Sequence, residues 1–410
     1  MAKNFGKATR SVRLFHVLKL ASSVCTQLAS LYLVYVLTPA EYGHFSLIVS
    51  VAQLMYVLTS GWSNGAILNL GSRSFAQTGS YKKIVYYRLV IVALSFFLVS
   101  AFFGMARPTI EDYMKIGGLY SYMLILFVGY VLYDFAAQLL YPGNHDTLQA
   151  SLELATTLTL VGIVAVLVHD LRSYVTTYAA ASGIFASVAC AIFLFFYHKE
   201  PFHWNNDDFL KVLNYSGWQI VGVLGIYLVN MGSNYLLVFA HVSFEQIGLY
   251  GFAYRIYSGF APFFALFGIL VPKWINASSA GIFTIEKKLI KIISILAVLY
   301  MTMGILLAAI LPALGMDRYS ASIKYFFLLF PAFLLTSYVN LMNTVMANTS
   351  RFRRAQIGVF LQCGLLMFLG FPLVLAFGVT GIIAAISFAC AGGAIYFRLL
   401  YRQVIVAGQG

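Results

Sequence analysis

Charged side chains are scarce in this sequence. Only 10% of its 410 residues are Asp, Glu, Lys or Arg, while 61% are hydrophobic and mean hydropathy is +0.85. Soluble domains carry about 25% charged residues, so a chain of this composition could not cover a water-facing surface. Cysteine is also sparse. Cys25, Cys190, Cys363 and Cys390 each fall inside an apolar run without paired spacing. That excludes a disulfide framework and a Cys-x-x-Cys metal site and leaves four small buried hydrophobes. No Gly-x-x-x-x-Gly-Lys-Ser/Thr phosphate loop occurs, which excludes ATP hydrolysis by that route, and no His-Glu-x-x-His zinc motif occurs. Period-two alternation over ten-residue segments is missing too, which excludes a transmembrane barrel.

Long apolar runs are what the sequence has in abundance. In lipid every backbone polar group must be paired within its own segment, so such runs form helices. About twelve are present, near 13–37, 44–70, 84–106, 116–140, 148–169, 174–197, 212–240, 246–272, 289–312, 323–347, 355–377 and 379–402. The chain therefore reads as an all-α polytopic membrane protein. Its first run is too long for a signal-peptide core and is expected to stay in the membrane.

The net charge of +13 invites a nucleic-acid reading, but its distribution argues against one. On one side fall Lys3, Lys7, Arg10, Arg13, Arg73, Lys82, Lys83, Arg88, Lys199, Lys211, Lys273, Lys287, Lys288, Lys291, Arg351, Arg353, Arg354, Arg398 and Arg402, nineteen in all. The opposite side has five, Arg107, Lys115, Arg172, Arg318 and Lys324. This is the positive-inside pattern, and it places both termini in the cytoplasm.

An internal repeat follows. The turn Thr38-Pro-Ala-Glu-Tyr-Gly-His-Phe45 matches Ser243-Phe-Glu-Gln-Ile-Gly-Leu-Tyr250 at a shift of 205 residues, which aligns Gly43 with Gly248 and Phe45 with Tyr250. The shift is half the chain. It implies two six-helix lobes, 1–205 and 206–410, related as a parallel repeat, with a site between them near the midplane.

Charged and polar groups inside spans mark candidate function. Arg255 lies nine residues past Gln246, about 14 Å along a helix and so near the middle of the membrane. It reads either as a cation facing an anionic substrate in a hydrated lumen or as an internal partner of Asp134. Lys19 shares one helix face with Ser23, Gln27 and Ser30, and it fits either a lumen residue or a snorkelling lysine. Further polar stripes are Gln219, Tyr227, Asn230 and Asn234 in the seventh span and Asn340, Thr344 and Asn348 in the tenth. They are a hydrated path or interhelical glue. Asp134 reads as an ion-coupling residue or as a partner for a buried cation, and Glu153 as interfacial. Trp62, Trp218, Tyr227 and Tyr257 could stack on sugar rings, or belong to ordinary packing and interfacial belts. Pro262, Pro331 and Pro372 allow bends.

Several motifs resemble a known family. Leu37-Thr-Pro-Ala-Glu-Tyr-Gly-His-Phe-Ser-Leu47 and Ser60-Gly-Trp-Ser-Asn-Gly65 resemble the first hairpin of polysaccharide flippases in the multidrug/oligosaccharidyl-lipid/polysaccharide (MOP) superfamily. Asn234-Tyr-Leu-Leu-Val238 with Gln246-Ile-Gly-Leu-Tyr-Gly-Phe-Ala-Tyr-Arg-Ile256 is similar to its seventh-to-eighth-helix segment. Phe377-Gly-Val-Thr-Gly-Ile-Ile-Ala-Ala385 is similar to the turn before its twelfth helix. The family often has a charged residue where Asn234 stands. The resemblance implies a Wzx-type O-antigen flippase of lipopolysaccharide biosynthesis in the bacterial inner membrane. Such a protein moves undecaprenyl-pyrophosphate-linked oligosaccharide by alternating access, needs no cofactor and is driven by an ion gradient. Its partners would be that lipid-linked substrate, membrane lipids, a polysaccharide polymerase and a chain-length regulator, with no nucleic acid. Alternatives are a MOP drug/cation antiporter or a membrane-embedded polymerase or glycosyltransferase; the short outward junctions speak against the last. The major-facilitator loop motif is not supplied by residues 71–83, which lack its aspartate.

Overall fold

A computed structural model describes residues 2–199, 202–260, 281–347 and 352–407. Among them there is no strand. The principal helices are α1 (Ala2–Val36), α2 (Pro39–Thr59), α3 (Lys82–Met105), α4 (Tyr120–Ala137), α5 (Asp146–Leu167), α6 (Leu171–Tyr197), α7 (Asn206–Phe239), α8 (Phe244–Ser258), α9 (Gly281–Ala313), α10 (Ala321–Leu328), α11 (Phe330–Ala347) and α12 (Phe352–Ala407). Nine helices among the described residues are long and apolar enough to cross a membrane. The segments Asp317–Leu328 and Phe330–Met346, bent by 52°, are long and apolar enough only as a pair, with the form of a broken span or a re-entrant loop. Pro331 follows that bend, as expected of a residue that cannot donate to the preceding turn. α12 holds two of the expected spans, which meet at Gly378, whose φ of 56° and ψ of −131° are not helical. The expected eighth span is described only as far as Phe260, and Pro262 and Asn348 lie outside the described residues.

Local chemistry fixes several helix starts. At α2 the Glu41 carboxylate accepts from Thr38 N at 2.8 Å, and Thr38 Oγ1 accepts from Glu41 N at 3.3 Å, a capping box with proline at the first helical position. At α8 Ser243 Oγ accepts from Gln246 N at 3.3 Å. These are the same two positions shifted by 205. Asp170 caps α6, accepting from Ser173 N at 2.7 Å, and the Ser173 hydrogen bonds hold its carboxyl below the usual carboxylate range.

One expected span is not a single helix. The run expected over 44–70 is α-helical only from Pro39 to Thr59; a 3₁₀ turn (Gly61–Ser63), one α turn (Asn64–Ala66) and a π turn (Ile67–Gly71) follow. Gly61, Ser63, Asn64 and Gly65 account for the break: two residues give the backbone excess freedom and two compete for its hydrogen bonds.

The chain divides into two compact units, one formed by Met1–Val36 and Leu47–Tyr227, the other by Leu37–Ser46 and Leu228–Gly410. The first packs α1 on α5 and α4 on α6, with Tyr81, Leu140, Phe185 and Phe193 in its core. The second packs α11 on α12 and α8 on α10, with Leu289, Met342, Val345 and Phe397 in a core cluster. Inside this second unit the starts of α2 and α8 meet backbone to backbone. A Cβ on Gly43 would overlap the Phe244 carbonyl and lie 3.2 Å from Gly248 N. One on Gly248 would overlap the Pro39 carbonyl and lie 2.9 Å from Gly43 N. Phe244 is Pro39 shifted by 205, so the contact is reciprocal.

Candidate functional site

The broken end of α2 builds a buried polar cluster in the first unit. Tyr56, Ser60 and Asn64, spaced four residues apart, all donate to Asp134 of α4. Tyr56 Oη and Asn64 Nδ2 reach Oδ1 at 2.9 and 2.8 Å, and Ser60 Oγ reaches Oδ2 at 3.1 Å. Arg88 of α3, with no exposed side-chain surface, completes an ion pair to Oδ2 at 3.1 Å. Its Nε donates to Ser63 Oγ at 3.2 Å, its Nη2 also bonds Asn64 Oδ1, and its guanidinium stacks 5.1 Å from the Phe135 ring. Both Asp134 oxygens are therefore filled, each by two donors. Gln219 of α7 closes the cluster by accepting from Gly65 N at 3.1 Å, and a side chain on Gly65 would collide with that amide. Trp62 packs against a core of Ala66, Tyr87, Ile91 and Val212, and its indole N–H donates to Leu58 O at 3.2 Å.

A second cluster joins α1 to α5. Lys19, about one-third exposed, pairs with Glu153, which is only 4% exposed, and lies 5.2 Å from the Tyr141 ring. Tyr141 Oη donates to Glu153 Oε1 at 3.1 Å, and Gln149 Nε2 donates to Ala136 O at 3.1 Å and to Glu153 Oε1 at 3.4 Å. One turn further, Thr157 Oγ1 donates to Ser22 Oγ at 3.2 Å. Tyr133, next to Asp134 in sequence, packs against the core of the first unit. Gln27 and Ser23 lie half-buried on α1; the side chain of Ser30 is outside what is described.

The second unit carries the remaining candidates. Arg255 is half-buried on α8, the helix on which the rings of Tyr250, Tyr254 and Tyr257 follow one another at 5.7 and 5.1 Å. Tyr250 Oη donates to Ser233 Oγ at 2.9 Å, Tyr254 Oη to the exposed Asn230 at 3.4 Å, and Tyr257 Oη to Thr336 Oγ1 at 2.9 Å. Asn234 is buried on α7.

Several expectations change. Arg88, counted above as a junction cation setting topology, is the buried partner of Asp134, because α3 carries it a turn and a half past Lys82 into the core. Asp134 therefore has a cation of its own unit in α3. Glu153, expected at the interface, is buried in the α1–α5 contact and paired with Lys19. Tyr227 donates to Ser50 O at 2.7 Å inside the fold, whereas Trp218 is 86% exposed. Among the described residues no three His, Cys, Asp or Glu side chains group as metal ligands.

No family model matches the chain, and no curated protein does. Solved structures do. An inward-facing multidrug resistance MATE transporter of the MOP superfamily is similar over 96% of this chain and 95% of its own, with a TM-score of 0.67 and 13% identity. The fold is that of the MOP transporters. The lipid II flippase MurJ in an inward closed conformation gives a TM-score of 0.70 at 13% identity over 96% of this chain and 87% of its own. A Vibrio cholerae MATE transporter, VcmN, gives 0.62 at 13% identity over 98% of both chains.

Proposed function

We propose that this MOP-fold chain is a flippase for undecaprenyl-pyrophosphate-linked oligosaccharide, working by alternating access between the lobes 1–205 and 206–410 in a bacterial inner membrane. The observation that carries the reading is the likeness to a lipid II flippase over nearly the whole chain, in a protein that holds the ion pairs Arg88–Asp134 and Lys19–Glu153 inside its helices. Arg255 and Lys19 are the cations proposed to meet the pyrophosphate or an acidic sugar. Guanidinium and ammonium both suit phosphate, the first by bidentate hydrogen bonding. Gln27, Gln219, Asn230 and Asn234 line the path, with Trp62 and Tyr257 as aromatic walls, while the polyprenyl tail stays in lipid. An ion gradient drives the cycle, and a polymerase and chain-length regulator act on the product. The MATE neighbours favour a second reading, export of a drug or other cation.

Deletion and complementation separate the two. Loss of the gene is expected to remove long-chain surface polysaccharide and to be rescued by the wild-type chain. Intact polysaccharide with altered drug tolerance would instead support the antiporter. Arg255→Glu, at wild-type abundance, is expected to fail in rescue; normal export by this variant removes Arg255 from the site.

A further inference from the structure

Asp134 and Glu153 are both held inside apolar helices but are satisfied differently. A proton added to Asp134 would have to displace one of its four donors. Glu153 gives one oxygen to Lys19 and the other to Tyr141 and Gln149, the last by a long bond of 3.4 Å. Gln149 is fully buried, and its Oε1 has no hydrogen-bond partner. A buried acceptor left unused is costly, and a protonated carboxyl is a donor that needs one. The amide that already touches Glu153 carries that acceptor. Lys19, being one-third exposed, gives the pair access to its surroundings.

We propose that Glu153 is a proton-binding site and that its protonation frees Lys19 to hold an anionic phosphate group, an assignment that rests on the flippase reading for its substrate. A proton from water adds to a Glu153 oxygen, the new O–H donates to Gln149 Oε1, and the Lys19 bond to Oε2 is given up. The pair changes from net zero to one positive charge, which a phosphate oxygen then meets. The groups around Glu153 are Lys19, with His16 a turn before it, on α1; Tyr133 on α4; Tyr141 in the following turn; Asp146 and Gln149 on α5; and Cys190 and Tyr197 in the adjoining core on α6. Lys19 supplies the opposing charge. A proton and an anion bound together travel as a compensated pair, so a driving ion acts elsewhere.

The test uses the full-length chain in lipid nanodiscs with inorganic pyrophosphate as probe, and it follows proton uptake in weak buffer and the infrared carbonyl band of protonated carboxyl groups. Wild type is expected to take up about one proton per pyrophosphate bound. Glu153→Gln should bind about tenfold more tightly with no uptake and no pH dependence, because the lysine is already released. Lys19→Met should lose binding. Gln149→Leu, which keeps the carboxylate, should move uptake about one pH unit lower by removing the acceptor. Uptake that survives Glu153→Gln, or that is lost in Asp134→Asn instead, overturns the proposal, as does wild type that fails to bind pyrophosphate. If the linkage is found but deletion leaves surface polysaccharide intact, the flippase reading falls and the proton site stands.

Discussion

A guanidinium without exposed surface inside an apolar helix survives only where its partners outweigh the loss of hydration. Arg88 meets that condition through Asp134, Ser63 and Asn64, and none of these can be removed cheaply. Arg88→Leu alone should destabilise the detergent-purified protein by about 3–5 kcal/mol, because it strands a buried carboxylate. The double variant Arg88→Leu with Asp134→Leu should recover much of that loss. Thermal unfolding of the three proteins decides the matter, and equal losses in the single and double variants would contradict the pairing. This pair was half legible in the sequence. Asp134 stood out as an acid inside a span, read either as an ion-coupling residue or as the partner of a buried cation. Arg88 was hidden because it sits near two lysines at a helix start, where positive charge has a routine explanation. The partner of Glu153 was missed similarly: seven residues past a helix start, depth alone does not reveal a contact with Lys19 of α1.

At the scale of elements, the runs expected from 44 and 246 begin earlier as helices, at Pro39 and Phe244. Thr38 with Glu41, and Ser243 with Gln246, were read only as a repeated turn; in the structure they cap the starts of α2 and α8. The break after Thr59 was not foreseen, since Trp62, Ile67 and Leu70 keep the run apolar while Gly61, Ser63, Asn64 and Gly65 interrupt its backbone. The glycine pair at the α2 and α8 starts gives the sharpest element-level expectation. Gly43→Val or Gly248→Val places atoms inside a carbonyl of the facing helix, so each should force the two starts apart and lower the unfolding temperature by several degrees, as about 1–3 kcal/mol of overpacking does. Gly104→Val, at a site with nothing within 4 Å, is the matched control and should unfold as wild type does. Equal behaviour of all three would mean that the close approach is not maintained.

For the whole molecule, composition and run length conveyed the fold class because the bilayer leaves few alternatives, while sidedness rests on cations distributed among junctions. Reporter fusions truncated after residues 205 and 402 should both report a cytoplasmic location, and one after residue 318 a periplasmic location. A periplasmic signal at 402 would reverse the assignment. Transferring Arg88 from the junction count to the interior lowers the larger count by one and leaves the asymmetry intact.

The reciprocal meeting of Gly43 and Gly248 has the form of an isologous interface, in which one surface patch binds its own equivalent. In a symmetric dimer a single glycine codon serves both sides of such a contact, so any change is doubled at once. Here the two sides are written separately, 205 residues apart, and each can drift while the other holds. The contact is then only as close as the bulkier side allows, which makes the two glycines a joint requirement rather than two independent ones.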